Sequence, residues 1–286
     1  MSSSRSHTPR VEEEGPARDE LAQDRLERAF RGLLVADHRV RAALTYGSRP
    51  AGLGDAFSDV EFWVFLDDAE LGSWSFPHWI AQVAEPDLLV RNESGGWVAV
   101  VDRHIRVELH VWPASDTEVV RSWPGRGAPV EAMLVVDRDG RLAPALAELP
   151  VHPPAPSTSF EVAELCGRFA NWWLLGRNVL ARGEYERAVD ALAHVRRHLL
   201  WMARLAEGAT DRWLTPSRLA ERDLSRETLD ALRGIGTKRG RGDNLADAFV
   251  AAWELGIRLW SSLAQKWGFH LPPLAEEGQS APDIPT

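Results

Sequence analysis

A glycine–serine pair and three acidic residues have the spacing in this sequence that is best suited to chemistry. Gly47 and Ser48 are separated by ten residues from Asp59 and Glu61, and Glu108 lies further along the chain. In a β-strand, residues i and i+2 point to the same face, so Asp59 and Glu61 present two carboxylates together. Two adjacent carboxylates repel each other and are costly beside an apolar run unless a cation neutralises them.

These residue types suit a divalent cation and a polyphosphate. Carboxylate oxygens are suitable ligands for Mg²⁺, which takes one or two carboxylates together with substrate phosphates. The backbone N–H groups and the hydroxyl of the Gly47-Ser48 turn suit phosphate oxygens. Glu108 is placed to bind a second metal ion or to accept a proton from a hydroxyl nucleophile. Each feature alone is common in turns and solvated strands, and only their combination indicates nucleotidyl transfer.

Alternating hydrophobicity predicts the strands that position these residues. In the strand 105–112, Arg106, Glu108 and His110 share one face, while the apolar residues occupy the other. A helix is predicted over 19–35 and a short helix within 67–83. The strands are predicted over 40–46, 60–66, 87–91, 97–101, 105–112 and 132–137.

The second half of the chain has a different pattern. The proline-rich stretch 150–156 predicts a stiff connector, and Thr158 with Glu161 resembles a helix capping box. Helical periodicity after it predicts an all-helical bundle. Its helices are predicted over 158–181, 184–207, 226–233 and 244–267. The predicted organisation is a disordered tail (1–18), an α+β domain (19–150), a helical bundle (157–270) and a second disordered tail (271–286).

Composition limits the partners. The net charge of −9 argues against a nucleic-acid partner, because phosphate backbones are bound by clustered Lys and Arg. The sequence lacks an apolar run of membrane-spanning length, and its polar first residues do not resemble a secretory signal. One cysteine, Cys166, excludes a disulfide scaffold and suits a reducing compartment. We therefore expect a cytoplasmic protein without a membrane partner.

Four segments carry a resemblance to a known family. They are Tyr46–Phe62, Arg91–Gly95, Ile105–His110 and Asn171–Tyr185. Together they resemble the lincosamide nucleotidyltransferases, which belong to the superfamily that includes DNA polymerase beta. The resemblance covers roughly residues 25–265 and implies a polymerase-beta-like nucleotidyltransferase domain with a mixed, twisted sheet, followed by the helical bundle.

The resemblance implies roles for the acidic residues and the turn. Asp59 and Glu61 would bind Mg²⁺, with two ions expected, and Glu108 would act as the general base and as a further metal ligand. By the resemblance, Ser48 would hold the β- and γ-phosphates of ATP or another nucleoside triphosphate, and Gly47 and Arg49 are further candidates for nucleotide binding. Arg49 stands where relatives can have an apolar or aromatic residue, so its alternative is an ordinary solvated loop arginine.

Four further residues are candidates for substrate binding. They are His110, Trp172, Arg168 and Arg177. A histidine in such a position is more often a structural hydrogen-bonding residue, and core packing of a helix is the favoured interpretation of Trp172. The predicted enzyme transfers a nucleoside monophosphate, with AMP favoured, to a hydroxyl of a lincosamide antibiotic, which would confer resistance, and it is expected to be a homodimer. The alternatives are a nucleotidyltransferase for an aminoglycoside or another hydroxylated metabolite, and a non-catalytic nucleotide-binding or antitoxin-like protein.

Overall fold

The computed structural model describes residues 21–102, 104–235 and 243–276. The predicted tail over 1–18 lies outside these residues, as do positions 277–286 of the second predicted tail. The chain divides into two compact units at residues 149 and 150, with the short segment Pro124–Arg126 belonging to the second unit.

The first unit contains a mixed sheet covered by short helices. The sheet has six strands among the described residues, in the order β3-β4-β5-β2-β1-β6. The elements in chain order are α1 (Ala22–Ala36), β1 (Val40–Thr45), β2 (Val60–Leu66), α2 (Phe76–Ile80), β3 (Leu88–Arg91), β4 (Trp97–Val101), β5 (Ile105–Pro113), α3 (Val130–Met133), β6 (Leu134–Asp137) and α4 (Leu142–Ala147). Strands β2 and β5 run parallel, and the other neighbouring strands run antiparallel.

The two faces of this sheet have different surroundings. On one face, Phe62, Val107 and Leu109 are fully buried in a cluster that includes Phe30 and Leu34 of α1. The opposite face carries a smaller apolar cluster that includes residues of β1, β2 and α4. Because side chains alternate along a strand, the odd-numbered residues of β2 and the even-numbered residues of β5 lie on this second face.

The second unit is helical. Its helices are α5 (Ser159–Ala181), α6 (Tyr185–Glu207), α7 (Ala220–Asp223), α8 (Arg226–Gly234), α9 (Asp243–Trp267) and α10 (Pro273–Glu276). Thr158 and Glu161 form the expected capping box at the start of α5. Helices α5 and α9 are joined through the fully buried Trp173, whose Nε1 donates to the carbonyl oxygen of Phe249 at 2.7 Å.

The predicted α+β class, with a sheet first and helices afterwards, is confirmed. Three local differences have physical reasons. A 3₁₀ helix (Ala114–Ser122) and α4 form where the sequence shows no clear periodicity. Their apolar residues, such as Val120 and Leu146, are buried because they pack in the same cluster. The strand predicted over 132–137 begins as α3, after Pro129.

The beginning of the predicted second tail also differs from expectation. Residues Pro273–Glu276 form one helical turn, and Ala275 is buried in the core of the bundle. A proline is well tolerated in the first turn of a helix, and burial of an apolar side chain supplies the stabilisation that the local sequence pattern does not reveal. None of the helices in the described ranges is long and apolar enough to cross a membrane.

Candidate active site

The parallel pairing of β2 with β5 brings the predicted carboxylates together. Glu61 is the register partner of Glu108, and Trp63 is the partner of His110. Asp59 immediately precedes β2 and is two residues from Glu61, so the alternation of the chain directs it to the same side. Three carboxylates from two neighbouring strands thus lie together on one face of the sheet.

The Gly47-Ser48 turn lies directly against one of these carboxylates. A Cβ atom on Gly47 would be 1.8 Å from Glu61 Oε2, and the backbone of Gly47 has a φ of +84°. The following loop is closed by a hydrogen bond from Leu53 N to Ser48 O at 2.9 Å. The Gly47-Ser48 turn and the Glu61 carboxylate are therefore in direct contact. A site that binds phosphate and metal together requires such proximity.

Glu108 is held in a defined orientation by two hydrogen-bond donors. Asn92 Nδ2 donates to Glu108 Oε1 at 2.9 Å, and His110 Nε2 lies 3.0 Å from the same oxygen. Asn92 is itself fixed, because its Oδ1 accepts from Gly96 N and from Ser94 Oγ, both at 2.8 Å. The β3–β4 turn thus positions the candidate general base.

His110 is part of an aromatic stack beside Glu108. Its ring stacks on Trp63 with a centroid separation of 4.8 Å and an interplanar angle of 22°. A Cβ atom on Gly96 would lie 2.6 Å from His110 Cε1, so the glycine leaves room for the ring. This placement agrees with the structural interpretation of His110, and its predicted substrate contact stays a prediction.

The electrostatics of the site reflect its concentration of negative charge. Burial raises the pKa of Asp59, and the negative charge of Glu108 raises it further, while the positive charge of Arg106 lowers it. Burial also raises the pKa of the Tyr46 phenol, and the charges of Glu61 and Glu108 add to this effect. Tyr46 is therefore a neutral hydrogen-bonding group at the edge of the site.

The residues present fit a hard divalent cation by their donor chemistry. Asp59, Glu61 and Glu108 supply the carboxylate oxygens that Mg²⁺ prefers. The guanidinium of Arg106 forms ion pairs with Asp59 and Glu108, which shows that a positive charge is accommodated between them. Among the described residues, however, no group of three His, Cys, Asp or Glu side chains has the geometry of an assembled metal site. Metal binding would therefore require rearrangement of side chains.

Arg49 is occupied elsewhere. Its guanidinium forms ion pairs with Asp24 and Glu27 of α1, and its side chain is only 9% exposed. It is therefore not a solvated loop arginine, because the acidic residues of α1 bury it. This arrangement anchors the loop after Ser48 to α1 and gives the predicted phosphate contact of Arg49 no support.

The second unit provides the decisive comparison. Residues 158–275 match a protein family described as the C-terminal domain of lincosamide nucleotidyltransferase-like proteins. The second unit is therefore similar to the C-terminal domain of those proteins. This match agrees with the predicted resemblance over residues 158–275.

Several solved structures are also similar to this chain. An aminoglycoside 6-adenyltransferase from Bacillus subtilis is 15% identical, with a TM-score of 0.41, over 89% of this chain and 94% of that one. A nucleotidyltransferase-like protein from Exiguobacterium sibiricum is 15% identical, with a TM-score of 0.36, over 84% and 77%. A CCA-adding enzyme in complex with ATP is 12% identical, with a TM-score of 0.30, over 91% and 88%. Among curated proteins, no sequence matches the chain significantly.

Three candidate substrate-binding residues lie on α5 of the lincosamide nucleotidyltransferase-like domain. Trp172 stacks on His194 with a centroid separation of 3.9 Å and an interplanar angle of 8°. Arg168 is exposed and lies 3.9 Å from Glu164, and Arg177 is half-buried. The stacking of Trp172 agrees with helix packing, and the substrate contacts of all three residues stay predictions.

Sequence reasoning missed two residues of the site, Asn92 and Arg106. Asn92 belongs to a turn that resembles the family, but the pattern did not indicate that its amide reaches Glu108. Arg106 alternates with Glu108 and was predicted to share its face. What was missing was knowledge of the neighbouring strand, since only the pairing with β2 places Asp59 beside Arg106.

Proposed function

We propose that this protein transfers a nucleoside monophosphate from a nucleoside triphosphate to a hydroxyl of a lincosamide antibiotic and releases pyrophosphate. The observation that carries the proposal is the side-by-side register of Glu61 and Glu108, with the Gly47 turn against Glu61. The lincosamide acceptor is supported by the family of residues 158–275. ATP is the favoured donor.

Asp59 and Glu61 are the proposed ligands of Mg²⁺, with Glu108 as a further ligand and two ions expected. When bound, the ions neutralise the phosphate oxygens and align them for in-line attack. The backbone N–H groups of the Gly47 turn and the Ser48 hydroxyl would hold the β- and γ-phosphates. These groups position the triphosphate, and positioning of this kind is a main source of acceleration in phosphoryl transfer.

Glu108 is the proposed general base. The acceptor hydroxyl attacks the α-phosphorus, its proton passes to Glu108, and the bond from the α-phosphorus to the pyrophosphate oxygen breaks. Asn92 and His110 hold the carboxylate in position by their hydrogen bonds to Oε1. Replacing Glu108 by Gln should lower kcat by about a hundredfold to ten-thousandfold, the usual contribution of general-base catalysis.

The product explains how such an enzyme would protect a cell. Transfer removes a free hydroxyl of the drug and adds a bulky anion, so the modified drug would bind its target poorly. An ATP-dependent reaction fits the cytoplasmic location that the sequence predicts. A homodimer, in which the helical domain provides the contact, is part of the proposal, and light scattering of the purified protein would test it.

The acceptor is tested by mass spectrometry. Lincomycin or clindamycin is incubated with the protein, Mg²⁺ and each nucleoside triphosphate in turn, and a nucleotidylated drug is expected with ATP. Aminoglycosides form a parallel set of acceptors, because the fold does not determine the acceptor. Modification of an aminoglycoside alone, or no lincosamide adduct with any triphosphate, would overturn the lincosamide assignment.

The roles of the carboxylates are tested by conservative variants. Asp59→Asn and Glu61→Gln should abolish Mg²⁺-dependent pyrophosphate release, because each removes a charged metal ligand. Glu93→Gln is a matched control, since Glu93 is exposed in the nearby β3–β4 turn. Full activity of either site variant would contradict the metal assignment. Absence of pyrophosphate release from the unaltered protein with every acceptor would favour the non-catalytic alternative.

A further inference from the structure

Arg106 is positioned as a cation within the carboxylate site. Its Nη1 forms an ion pair with Asp59 Oδ2, and its Nη2 lies 3.4 Å from Glu108 Oε2. The Arg106 side chain is 46% exposed, whereas those of Asp59 and Glu108 are 28% and 15% exposed. The guanidinium therefore bridges the two carboxylates from the solvent side.

The register between β2 and β5 determines the position of Arg106 beside Asp59. Val60 of β2 is paired with Val107 of β5, so Asp59 and Arg106 are neighbours one residue earlier in the parallel ladder. Arg106 is also two residues from Glu108 and therefore lies on the same face of β5. The backbone fixes the position of the Arg106 Cα atom, whereas the long and half-exposed side chain can leave the site.

The carboxylates need a counter-ion. The side chains of Asp59 and Glu108 are only 28% and 15% exposed and carry charges of the same sign, and the guanidinium of Arg106 pairs with both. Buried carboxylates are tolerated when they are paired with a cation, and removal of that cation leaves an uncompensated charge. The described structure meets this need with a side chain of the protein itself.

We propose that Arg106 is the counter-ion of the site in the metal-free protein and that a divalent cation displaces its guanidinium on binding. The proposal rests on the metal role proposed above for Asp59 and Glu61. A guanidinium and a divalent cation within a few ångströms repel each other, and both require oxygens of the same carboxylates. Arg106 therefore lowers the affinity for the metal and protects the empty site from charge repulsion.

The direct test measures Mn²⁺ binding without nucleotide, from the decrease of the electron paramagnetic resonance signal of free Mn²⁺. Arg106→Gln should bind Mn²⁺ about tenfold more tightly than the unaltered protein, since it removes the competing charge. Arg106→Lys keeps a point charge without the planar fork and should give an intermediate affinity. Arg41→Gln is the matched control, because Arg41 is on β1, is 35% exposed and is paired with Asp139 outside the site. Its affinity should equal that of the unaltered protein.

A second measurement follows thermal unfolding. In EDTA, Arg106→Gln should have a lower Tm than the unaltered protein, because its carboxylates lack a counter-ion. Saturating Mn²⁺ should raise the Tm of Arg106→Gln more than that of the unaltered protein, since the ion stabilises the state that it binds more tightly. Arg41→Gln should show the same rise in Tm between EDTA and Mn²⁺ as the unaltered protein.

Unchanged or weaker Mn²⁺ binding by Arg106→Gln would overturn the proposal, as would the absence of Mn²⁺ binding by every variant. The same applies if the Tm of Arg106→Gln is lowered equally in EDTA and in Mn²⁺. Failure of the proposed function is distinguishable, because it is measured by nucleotidyl transfer. If Arg106→Gln binds Mn²⁺ more tightly but the unaltered protein transfers nucleotide to no acceptor, the counter-ion role is supported and the enzymatic role is contradicted.

Discussion

The carboxylate of Glu61 lies in the space that a side chain on Gly47 would fill. The distance from an ideal Cβ on Gly47 to Glu61 Oε2 is 1.8 Å, and Gly47 has a φ of +84°. Glycine is therefore needed at this position for two separate reasons, the left-handed backbone and the close approach of the carboxylate. The relationship joins the proposed phosphate-binding turn to the proposed metal ligand.

Gly47→Ala should lower kcat/KM by at least about a hundredfold, because the new methyl group displaces Glu61 from its proposed metal site and ångström-scale misplacement is that costly. Gly52→Ala is the control. Gly52 also has a positive φ, +72°, but a Cβ atom there would meet nothing within 4 Å. Both variants should lose about 1–2 kcal/mol of stability from backbone strain. Steady-state kinetics and urea unfolding check both values, and an equal loss of activity in the two variants would contradict the role of the contact.

Asn92→Ala should lower kcat by about tenfold to a hundredfold, with little change in the KM for ATP. The physical reason is that Asn92 orients Glu108 without touching the triphosphate, and residues that orient a functional side chain have effects of this size. Glu93→Ala alters the exposed neighbour in the same turn and should retain full activity. A kcat of Asn92→Ala equal to that of the unaltered protein would show that Glu108 needs no orientation from this turn.

Gly256→Ala should destabilise the helical unit by about 1–3 kcal/mol, the usual cost of an overfilled core. A Cβ atom on Gly256 of α9 would lie 2.0 Å from Phe169 Cζ of α5, so the two helices would be forced apart. Gly167→Ala on α5 is the opposite case, because no atom lies within 4 Å of its Cβ position. That variant should be more stable by about 0.5–1 kcal/mol, since alanine is the better helix former. Thermal unfolding compares them, and destabilisation by both substitutions would contradict the packing argument.

A buried ion-pair cluster should make the helical unit sensitive to acid. Asp223 forms ion pairs with Arg204, Arg212 and Arg222, and Arg204 is fully buried. Burial by itself would raise the pKa of Asp223, but hydrogen bonds from Arg222 and Arg204 and the charge of Arg212 leave it below its usual value of 3.8. The pKa of Asp223 is lower in the folded state than in the unfolded state. The stabilisation is therefore complete above pH 3.8 and is lost as the pH falls through the folded-state pKa.

Asp223→Asn should therefore cost about 3 kcal/mol at neutral pH, because it leaves a buried arginine without its charged partner. The difference in the free energy of unfolding between Asp223→Asn and the unaltered protein should decrease below about pH 4. Asp230→Asn removes an exposed partner of Arg233 and should cost less than about 1 kcal/mol. Urea unfolding at neutral and acidic pH measures these values, and a cost of Asp223→Asn that does not depend on pH would contradict the ionic role.

Much of the fold could be predicted from local patterns. The strands predicted over 60–66 and 97–101 have the bounds of β2 and β4, and the helix predicted over 184–207 is α6 with one residue less. Periodicities of two and 3.6 residues are properties of short segments, so they can be identified without knowledge of the rest of the chain. The shorter elements, such as α4, escaped prediction because only packing against distant residues stabilises them.

For the candidate site, the sequence by itself determined which residues carry carboxylates and which of them share a face of their own strand. Asp59 with Glu61, and Arg106 with Glu108, follow from alternation alone. The pairing of strands does not, because β2 and β5 are separated in the sequence by β3 and β4 but are neighbours in the sheet. Every amphipathic strand has the same period, so the period cannot specify the partner strand or its register.

Only the tertiary structure decided which side chains meet. It placed Glu61 beside Glu108, directed the Asn92 amide to Glu108, and put Arg106 between two carboxylates. It also buried Arg49 against two acidic residues of α1, where the sequence allowed either a phosphate contact or a solvated loop residue. These contacts join residues far apart in the chain, and their formation depends on the hydrogen-bond register and packing of the whole sheet, which no local pattern encodes.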